Sequence, residues 1–358
     1  MAIDRLRAWL ETERVGAAFI TDPVSIAYMT GFATDPHERL MALVLADRQA
    51  VLVVPGLEEE SATATARSVS VRAWRDGEDP WAVVTAALGA RLARLAVEKT
   101  HLNLAAWERL QAAAGTLEAV DAGAEIRRLR LRKTPDEIAK LERAARLTDD
   151  VIERILGAIE AGSTELDVAS EIERHLAAAG GRPSFGTIVQ SGPNSGQPHL
   201  KPSSRRLARG DLVLLDFGAA LDGYKADITR TAVLGEPDAR QREVHALVLA
   251  AHDAAVAAVH PGVTAGEVDE AARSVIREGG LAERFIHRVG HGLGLEAHEA
   301  PSLDPGATAA LEEGMVITIE PGVYLSGWGG IRIEDDVLVE AGGGRMLTHA
   351  DRSLKSVG

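Results

Sequence analysis

Two stretches of similar sequence, about 100 positions apart in the second half of the chain, limit the folds that this protein can adopt. Residues 162–181 read GSTELDVASEIERHLAAAGG, and residues 262–280 read GVTAGEVDEAARSVIREGG. Each begins at a Gly, carries a Thr two residues later as a candidate helix cap, and ends in Gly-Gly. This similarity favours an internal duplication, and the alternative is a chance likeness of two helical segments.

The duplication continues into two apolar strands that each end in a carboxylate. The segments GDLVLLDFG and GMVITIEPG both place an acidic residue six positions after a Gly, at Asp216 and Glu320. Two half-domains related by a pseudo-twofold axis would bring these carboxylates together. The pattern therefore predicts a symmetric domain with an acidic site at its centre.

A tight turn predicts a second close pair of carboxylates. Within residues 212–234, two apolar strands flank Asp222-Gly223, which is a typical hairpin turn pair. A hairpin centred there places Asp216 diagonally opposite Asp227 on one face of the sheet. Carboxylates this close repel each other unless they share a proton or hold a metal ion. The alternative is a strand-end cap at Asp216 and an edge charge at Asp227.

Polar residues also interrupt two later apolar strands. In MVITIE (315–320) Glu320 lies on the face opposite the isoleucines, and in GIRIEDDVLV (330–339) Arg332, Glu334 and Asp336 share a face. Polar side chains on strands this apolar must find partners. The alternative to a functional site is an ordinary ion pair between Arg332 and Glu334.

A histidine cluster occupies HRVGHGLGLEAHEAP, at His287, His291 and His298. Its glycines disfavour a regular helix, so His287 and His291 are not expected to form a helical metal pair. The segment lacks HExxH, which excludes a thermolysin-like zinc helix. A lone His is more often structural, but three of the chain's eleven histidines within twelve residues favour a functional site.

The candidate ligands combine four carboxylates and one imidazole, which matches two divalent cations in charge. The set consists of Asp216, Asp227, His291, Glu320 and Glu334. Oxygen-rich ligands with one His suit Mn²⁺, Co²⁺ or Zn²⁺ better than a copper or thiolate site. Two such ions can activate water and polarise a peptide carbonyl, which is the chemistry of metal-assisted hydrolysis.

These motifs resemble the metallopeptidases of the pita-bread fold, which include methionine aminopeptidase, aminopeptidase P and prolidase. The stretches LLDFGA, YKADITRT, HRVGHGLGLEAHEAP, ITIEPGVY and GIRIEDDVLV carry the resemblance, which covers residues 126–358. It implies two divalent ions per subunit, Mn²⁺ first, with Co²⁺ or Zn²⁺ as alternatives. It also implies the ligand arrangement: Asp216 on one ion, His291 on the other, Asp227 and Glu334 bridging, and Glu320 on the His291 side.

The resemblance implies further catalytic and substrate-binding residues. Glu320 would also handle the proton of the attacking water, and His199 in SGPNSGQPHLKP would line the substrate site and assist proton transfer. His298 would hydrogen-bond the substrate carbonyl and the tetrahedral intermediate. His287 would be a pocket residue of the proline-specific members, and Arg332 would orient the bridging Glu. The alternative for His199 is a structural role in a Pro-rich loop.

The first 125 residues read as a separate, smaller α/β domain. The predicted helices lie at 4–13, 25–32, 81–95 and 102–114, and the predicted strands lie at 17–21, 42–46, 50–54 and 117–122. The basic run 127–133 is expected to be a solvated surface. Thr134 to Glu137 predicts a capped helix start just beyond it. The fold class is therefore α+β, with an N-terminal domain at 1–125 and a pita-bread catalytic domain at 126–358.

An α/β domain ahead of the catalytic domain resembles prolidase and bacterial aminopeptidase P, which cleave Xaa-Pro bonds. The run Asp35-Pro36-His37-Glu38-Arg39 resembles a mobile loop in prolidases of lactic acid bacteria, where it reaches the other subunit's active site. Arg288 matches an Arg that works with this loop. The match implies a homodimer and a preference for dipeptides, and the alternative is a plain charged surface loop.

Composition argues against several kinds of binding partner and metal site. The net charge of −14 argues against a nucleic-acid partner or an anionic membrane, and the absence of Cys excludes thiolate sites. Early acidic residues and the lack of a long apolar run predict no signal peptide, no membrane span and a cytoplasmic enzyme.

The first choice of function is an Xaa-Pro dipeptidase, with Xaa-Pro aminopeptidase as the alternative. Lower alternatives are a metal-free, creatinase-like hydrolase and a binding module that has lost catalysis.

Overall fold

The computed structural model describes residues 2–89, 92–115 and 117–358. The chain forms two compact units, Met1–Arg130 and Leu131–Gly358. Both mix helices with sheets, which confirms the predicted α+β class. The division of function at residue 126 stays a prediction. Of the helices in the described ranges, none combines the length and the apolar character that a membrane crossing requires.

The first unit is built around a mixed sheet with helices on both faces. Its helices are α1 (Ala2–Glu13), α2 (Pro23–Thr30), α3 (Glu59–Thr65), α4 (Pro80–Leu88), α5 (Leu104–Ala114) and α6 (Gly123–Leu131). Its strands are β1 (Ala17–Ile20), β2 (Ala42–Ala46), β3 (Gln49–Pro55), β4 (Ser70–Trp74), β5 (Arg94–Val97) and β6 (Glu118–Asp121). The sheet order is β4-β3-β2-β1-β5-β6, and β2 and β3 form the predicted hairpin.

Strand β1 lies inside this sheet and is apolar on both faces. Its side chains alternate between two core layers, with Ala18 and Ile20 in one and Ala17 and Phe19 in the other. This follows from the two-residue period of a strand, since each face of an inner strand is covered by helices.

Two predictions for this region are wrong. The helix predicted over 81–95 ends at Leu88, because Gly89 leaves the helical conformation at φ +73, and Arg94–Val97 is a strand instead. Residues 90 and 91 of that prediction lie outside the described residues. An Ala- and Leu-rich run favours a helix locally, but parallel pairing with β1 overrides that propensity. The basic run 127–133 is not uniformly solvated, since Arg130 and Lys133 are buried.

The second unit contains four long helices and several small, mostly antiparallel sheets in the part of the chain that the structure describes. The helices are α7 (Pro135–Leu156), α8 (Glu165–Ala178), α9 (Ala239–Ala258) and α10 (Ala265–Glu278). The first strands are β7 (Arg182–Pro183), β8 (Ile188–Ser191), β9 (Leu212–Phe217), β10 (Ala219–Leu221), β11 (Tyr224–Lys225) and β12 (Ile228–Leu234). The later strands are β13 (His291–Gly292), β14 (Glu299–Ser302), β15 (Val316–Ile319), β16 (Gly322–Leu325), β17 (Gly329–Arg332), β18 (Asp335–Glu340), β19 (Gly343–Met346) and β20 (Ser356–Val357).

The duplicated segments fold alike. Helices α8 and α10 each begin after a Thr that forms a capping box, Thr164 in the first half and Thr264 in the second. Each Thr also makes an isolated antiparallel bridge, Thr164 to Arg206 and Thr264 to Ala310. Thr134 forms a third capping box at the start of α7, as the sequence predicts.

The hairpin register confirms the predicted carboxylate pair. Leu221 pairs with Tyr224 around the Asp222-Gly223 turn, and the same register continues to Asp216, which pairs with Thr229. Asp227 therefore lies diagonally opposite Asp216, because it is two residues before Thr229 on the same face.

The segment 330–339, which the sequence predicts as one strand, is two strands. Residues 329–332 pair with β16, whereas residues 335–338 pair with β15. Glu334 lies between them and bridges to Thr229. The break transfers the chain from one sheet to another, and it leaves Glu334 facing the β9–β12 hairpin.

We predict that Gly218→Ala disrupts the hairpin that carries the two aspartates. A Cβ at this position would lie 1.6 Å from the backbone oxygen of Ala226, so the strands would have to separate. The free energy of unfolding, measured in urea, should fall by at least about 3 kcal/mol. Gly186→Ala is the matched control, because its Cβ would meet nothing within 4 Å. Equal unfolding midpoints for the two variants would contradict this account.

Candidate active site

A cavity of about 290 Å³ in the second unit gathers the predicted site residues of that unit. Phe185, Ile188 and Pro198 form its apolar lining. The predicted residues that line it are His199, Asp216, Asp227, His287, Arg288, His291, His298, Glu320, Arg332 and Glu334. Side chains separated by up to 135 positions therefore converge on one space.

Three of the predicted ligands form a compact group. One ligand atom each from Asp227, His291 and Glu334 lies within 4.8 Å of the others, and all three residues are buried. They come from three places in the fold: the start of β12, the start of β13 and the break between β17 and β18. Asp216 and Glu320 line the same cavity beside this group.

The electrostatics of this group favour a bound cation. Burial raises the pKa of Asp227 well above its ordinary value, and the charges of Glu334 and Asp216 raise it further. Burial, Glu320 and Asp216 likewise raise the pKa of Glu334. Among the described residues, the buried Oδ1 of Asp227 has no hydrogen-bond partner. A divalent ion would satisfy that oxygen and remove the repulsion, so these residues fit a metal.

A neighbouring backbone carbonyl orients the His291 ring. Its Nδ1 lies 3.1 Å from the carbonyl oxygen of Gly292, which leaves Nε2 directed at Glu320 Oε1 at 3.3 Å. Burial raises the pKa of Glu320, but the hydrogen bond and charge of His291 outweigh it and lower the pKa to about 2. Gly290 allows close packing here, since a Cβ would lie 1.9 Å from the Thr318 carbonyl oxygen.

Arg332 connects the carboxylates of the two half-domains. Its guanidinium pairs with Asp216 and donates to Thr229 Oγ1 at 3.0 Å and to the Tyr324 hydroxyl at 2.8 Å. Thr229 Oγ1 in turn donates to Glu334 Oε2 at 2.6 Å. The ion pair of Arg332 is thus with Asp216, and its link to Glu334 passes through Thr229.

The other two histidines of the cluster, His287 and His298, line the same cavity. The His298 ring meets the His291 ring edge to face, with centroids 4.2 Å apart. Burial, His291 and Arg288 lower the pKa of His298 to about 4. His287 Nε2 lies 2.9 Å from the Tyr324 hydroxyl, and burial lowers the pKa of His287.

The charged loop at residues 35–39 belongs to the first unit and lines a different cavity, of about 680 Å³. Asp35 and His37 lie 3.5 Å apart, and Arg39 pairs with Asp76 at 3.1 Å and with Glu38 at 2.9 Å. Its role at an active site stays a prediction.

Sequence reasoning missed two residues that support the site. They are Thr229, which bonds Glu334, and Tyr324, which joins His287 to Arg332. The alternation of β12 could have indicated Thr229, which shares a face with Asp227. Tyr324 meets His287 from 37 positions away, and local sequence carries no signal for that contact. Asp336, a polar residue that the sequence does indicate, accepts from the Asp227 backbone N–H through its Oδ2 at 3.1 Å.

Comparison with known proteins identifies the family. The model of "Metallopeptidase family M24" matches residues 139–341. This chain belongs to that family. The model of the "Creatinase/Prolidase N-terminal domain" matches residues 3–132. The predicted family and fold class, and the predicted enzyme class of metallo-exopeptidase, are confirmed. The family implies the use of divalent metal, and the group around Asp227 is the candidate site.

Individual relatives match from end to end. An Xaa-Pro dipeptidase of Lactobacillus helveticus is 39% identical, with 100% of this chain and 99% of the relative covered. The solved prolidase of Pyrococcus horikoshii OT3 superimposes with a TM-score of 0.93 at 34% identity, covering 99% of both chains. The solved X-Pro aminopeptidase of Thermotoga maritima MSB8 gives 0.89 at 32% identity, covering 97% of this chain and 100% of that one.

We predict that Asp227→Asn weakens metal binding while stabilising the metal-free protein. The amide removes one anionic ligand, so affinity for Mn²⁺ by calorimetry should fall at least about 100-fold. It also removes a buried negative charge beside Glu334, so the unfolding temperature in chelator should rise. Asp304→Asn, at an exposed position of the same unit, is the control and should change neither quantity. A lower unfolding temperature for the metal-free Asp227→Asn protein would contradict the repulsion.

Proposed function

We propose that this protein is an Xaa-Pro dipeptidase, which hydrolyses the bond between an N-terminal residue and a C-terminal proline. The observation that carries the proposal is the buried Asp227–His291–Glu334 group in a chain that aligns end to end with an Xaa-Pro dipeptidase. An imide bond has no N–H, so its cleavage requires a pocket shaped for the proline ring. Phe185, Ile188 and His287 supply apolar and aromatic surface for such a ring.

Two divalent ions fit the donor set of this cavity. Asp216, Asp227, His291, Glu320 and Glu334 would hold them. When bound, the ions supply Lewis acidity for the scissile carbonyl and an activated water. Mn²⁺ is the first choice, because the set is rich in carboxylate oxygen and has a single imidazole, and Co²⁺ and Zn²⁺ are alternatives.

The protein's own residues bind the substrate and move protons. Glu320 offers the carboxylate that accepts a proton from the attacking water. His298 lines the cavity beside His291, and in this proposal it donates to the carbonyl oxygen as that oxygen gains charge. The proton that Glu320 accepts returns to the leaving proline nitrogen, either directly from Glu320 or through His199 at the cavity wall. Arg288 supplies a positive charge for the carboxylate of a dipeptide.

The first unit carries the determinants of length preference and assembly in this proposal. The loop at 35–39 presents both signs of charge, which suits recognition of the free ends of a dipeptide. Its action on the active site of a second subunit makes the enzyme a homodimer. A cytoplasmic site of action agrees with a chain that has no Cys. Xaa-Pro aminopeptidase remains the second candidate, favoured by the likeness to the Thermotoga enzyme.

Ala-Pro should be cleaved faster than Ala-Pro-Ala when the chelated protein is reloaded with Mn²⁺, Co²⁺ or Zn²⁺ in turn. The physical reason is that a dipeptide places its carboxylate against fixed positive charge, whereas a longer peptide does not. Product proline measured over time decides between the candidates. Cleavage of the tripeptide alone would make the enzyme an aminopeptidase. Full activity in chelator would indicate a metal-free hydrolase, and metal binding without any cleavage would indicate a binding module.

His298→Ala should lower kcat for Ala-Pro about 100-fold and leave KM within about threefold, because the lost hydrogen bond forms mainly in the transition state. Steady-state kinetics of the Mn²⁺-loaded enzyme measure both constants. The control is His260→Ala, which alters an exposed His near the start of α10. An unchanged kcat for His298→Ala would remove this residue from the mechanism.

A further inference from the structure

The position of His199 is set by the backbone that carries it. Its side chain is exposed at the cavity, and its ring makes no hydrogen bond to any residue within the described ranges. It lies in the segment 191–203, which connects β8 to the approach to β9 and begins with a short 3₁₀ helix at Gly192–Gly196. A proton donor must be held in place to act efficiently, so some other part of the protein must fix this segment.

One buried carboxylate binds both ends of the segment. At the first end, Glu165 Oε1 accepts from the backbone N–H of Ser191 at 2.7 Å and from its hydroxyl at 2.8 Å. At the far end, Oε2 accepts from the backbone N–H of Ser203 at 3.0 Å and from its hydroxyl at 2.6 Å. Asn194 Nδ2 donates to both oxygens. Glu165 is 0% exposed, so water cannot replace these contacts.

A second buried side chain binds the middle of the segment. The Gln190 amide nitrogen donates to the carbonyl oxygens of Gln197 at 2.7 Å and Leu200 at 2.9 Å, on either side of His199. Gln190 is also fully buried. The peptide groups that flank His199 are therefore tied to β8, while the ends of the segment are tied to the start of α8.

The duplication indicates that the fold itself does not require a carboxylate at the position of Glu165. The residue that follows the capping Thr is Glu165 in the first half and Ala265 in the second. Both make the same backbone contact, Glu165 N–H to the Arg205 oxygen at 3.1 Å and Ala265 N–H to the Ala309 oxygen at 2.8 Å. The repeated backbone therefore forms without a carboxylate. Glu165 is the added feature, and it occurs in the half whose following loop carries His199.

We propose that Glu165, assisted by Gln190, is a positioning residue that holds His199 at the substrate cavity. Its effect on turnover rests on the proposed peptidase function, whereas its effect on the order of residues 191–203 does not. A buried carboxylate needs a positive charge in its surroundings. Arg205 lies near Glu165, where its guanidinium bonds the Ser191 hydroxyl at 2.6 Å while pairing with Asp211 at 2.6 Å.

A double-mutant cycle on the Mn²⁺-loaded, full-length enzyme tests the proposal. Glu165→Ala should lower kcat for Ala-Pro about 10- to 100-fold with little change in KM, because misplaced catalytic groups lose rate rather than binding. In a His199→Ala background, the same substitution should lower kcat by no more than about threefold. Glu165→Gln, which keeps one acceptor oxygen at equal volume, should retain more activity than Glu165→Ala. Metal content should equal that of the parent in every variant.

Two further measurements keep the outcome decisive. Hydrogen exchange of residues 191–203 should accelerate in Glu165→Ala and not in Glu173→Gln, an exposed carboxylate on the same helix that serves as the matched control. If Glu165→Ala does not fold by circular dichroism, Glu165→Gln takes its place in the cycle. The positioning role would be overturned if the losses of kcat in Glu165→Ala and His199→Ala multiplied in the double variant. Unchanged hydrogen exchange of residues 191–203 in Glu165→Ala would overturn it too. If the parent cleaves no Xaa-Pro peptide while residues 191–203 still exchange faster in Glu165→Ala than in the parent, the proposed function is overturned and the positioning role stands.

Discussion

Mutual repulsion among carboxylates buried in one cavity is the constraint on which the site depends. Asp216, Asp227, Glu320 and Glu334 lie together where water is scarce, and burial opposes the ionised form of each. Arg332 and His291 offset part of this repulsion from within the protein. The remaining negative charge is what gives the cavity its affinity for divalent cations, so the feature that opposes stability is also the one that serves chemistry.

Much of this arrangement is predictable where the signal is local. The Asp222-Gly223 turn and the two-residue period of a strand place Asp227 diagonally opposite Asp216, and the structure has that register. The capping boxes at Thr134, Thr164 and Thr264 are equally local, because a side chain three residues away completes each of them. The five proposed metal ligands can also be singled out from the hairpin, strand alternation and the histidine cluster. The roles proposed for His199 and His298, in contrast, rest on the family motifs alone.

The errors arise where contacts between distant segments decide the structure. The strand at Arg94–Val97 reads as helix, because its Ala, Leu and Arg residues favour a helix until β1 supplies a partner. The break at Glu334 is invisible in an apolar run that two different sheets share. The sequence does not single out Glu165 for the same reason, since the five groups that donate to its carboxylate lie 26 to 38 positions further along the chain.

The proposed ligand set is divided between the two halves of the duplication, with two aspartates before residue 235 and an imidazole with two glutamates after residue 287. A cation coordinated from both sides would act as a removable cross-link between them. By mass action, a hundredfold excess over the dissociation constant adds about 2.7 kcal/mol to the native state. The supply of metal would therefore govern how long the enzyme resists heat and proteolysis, in addition to how fast it turns over.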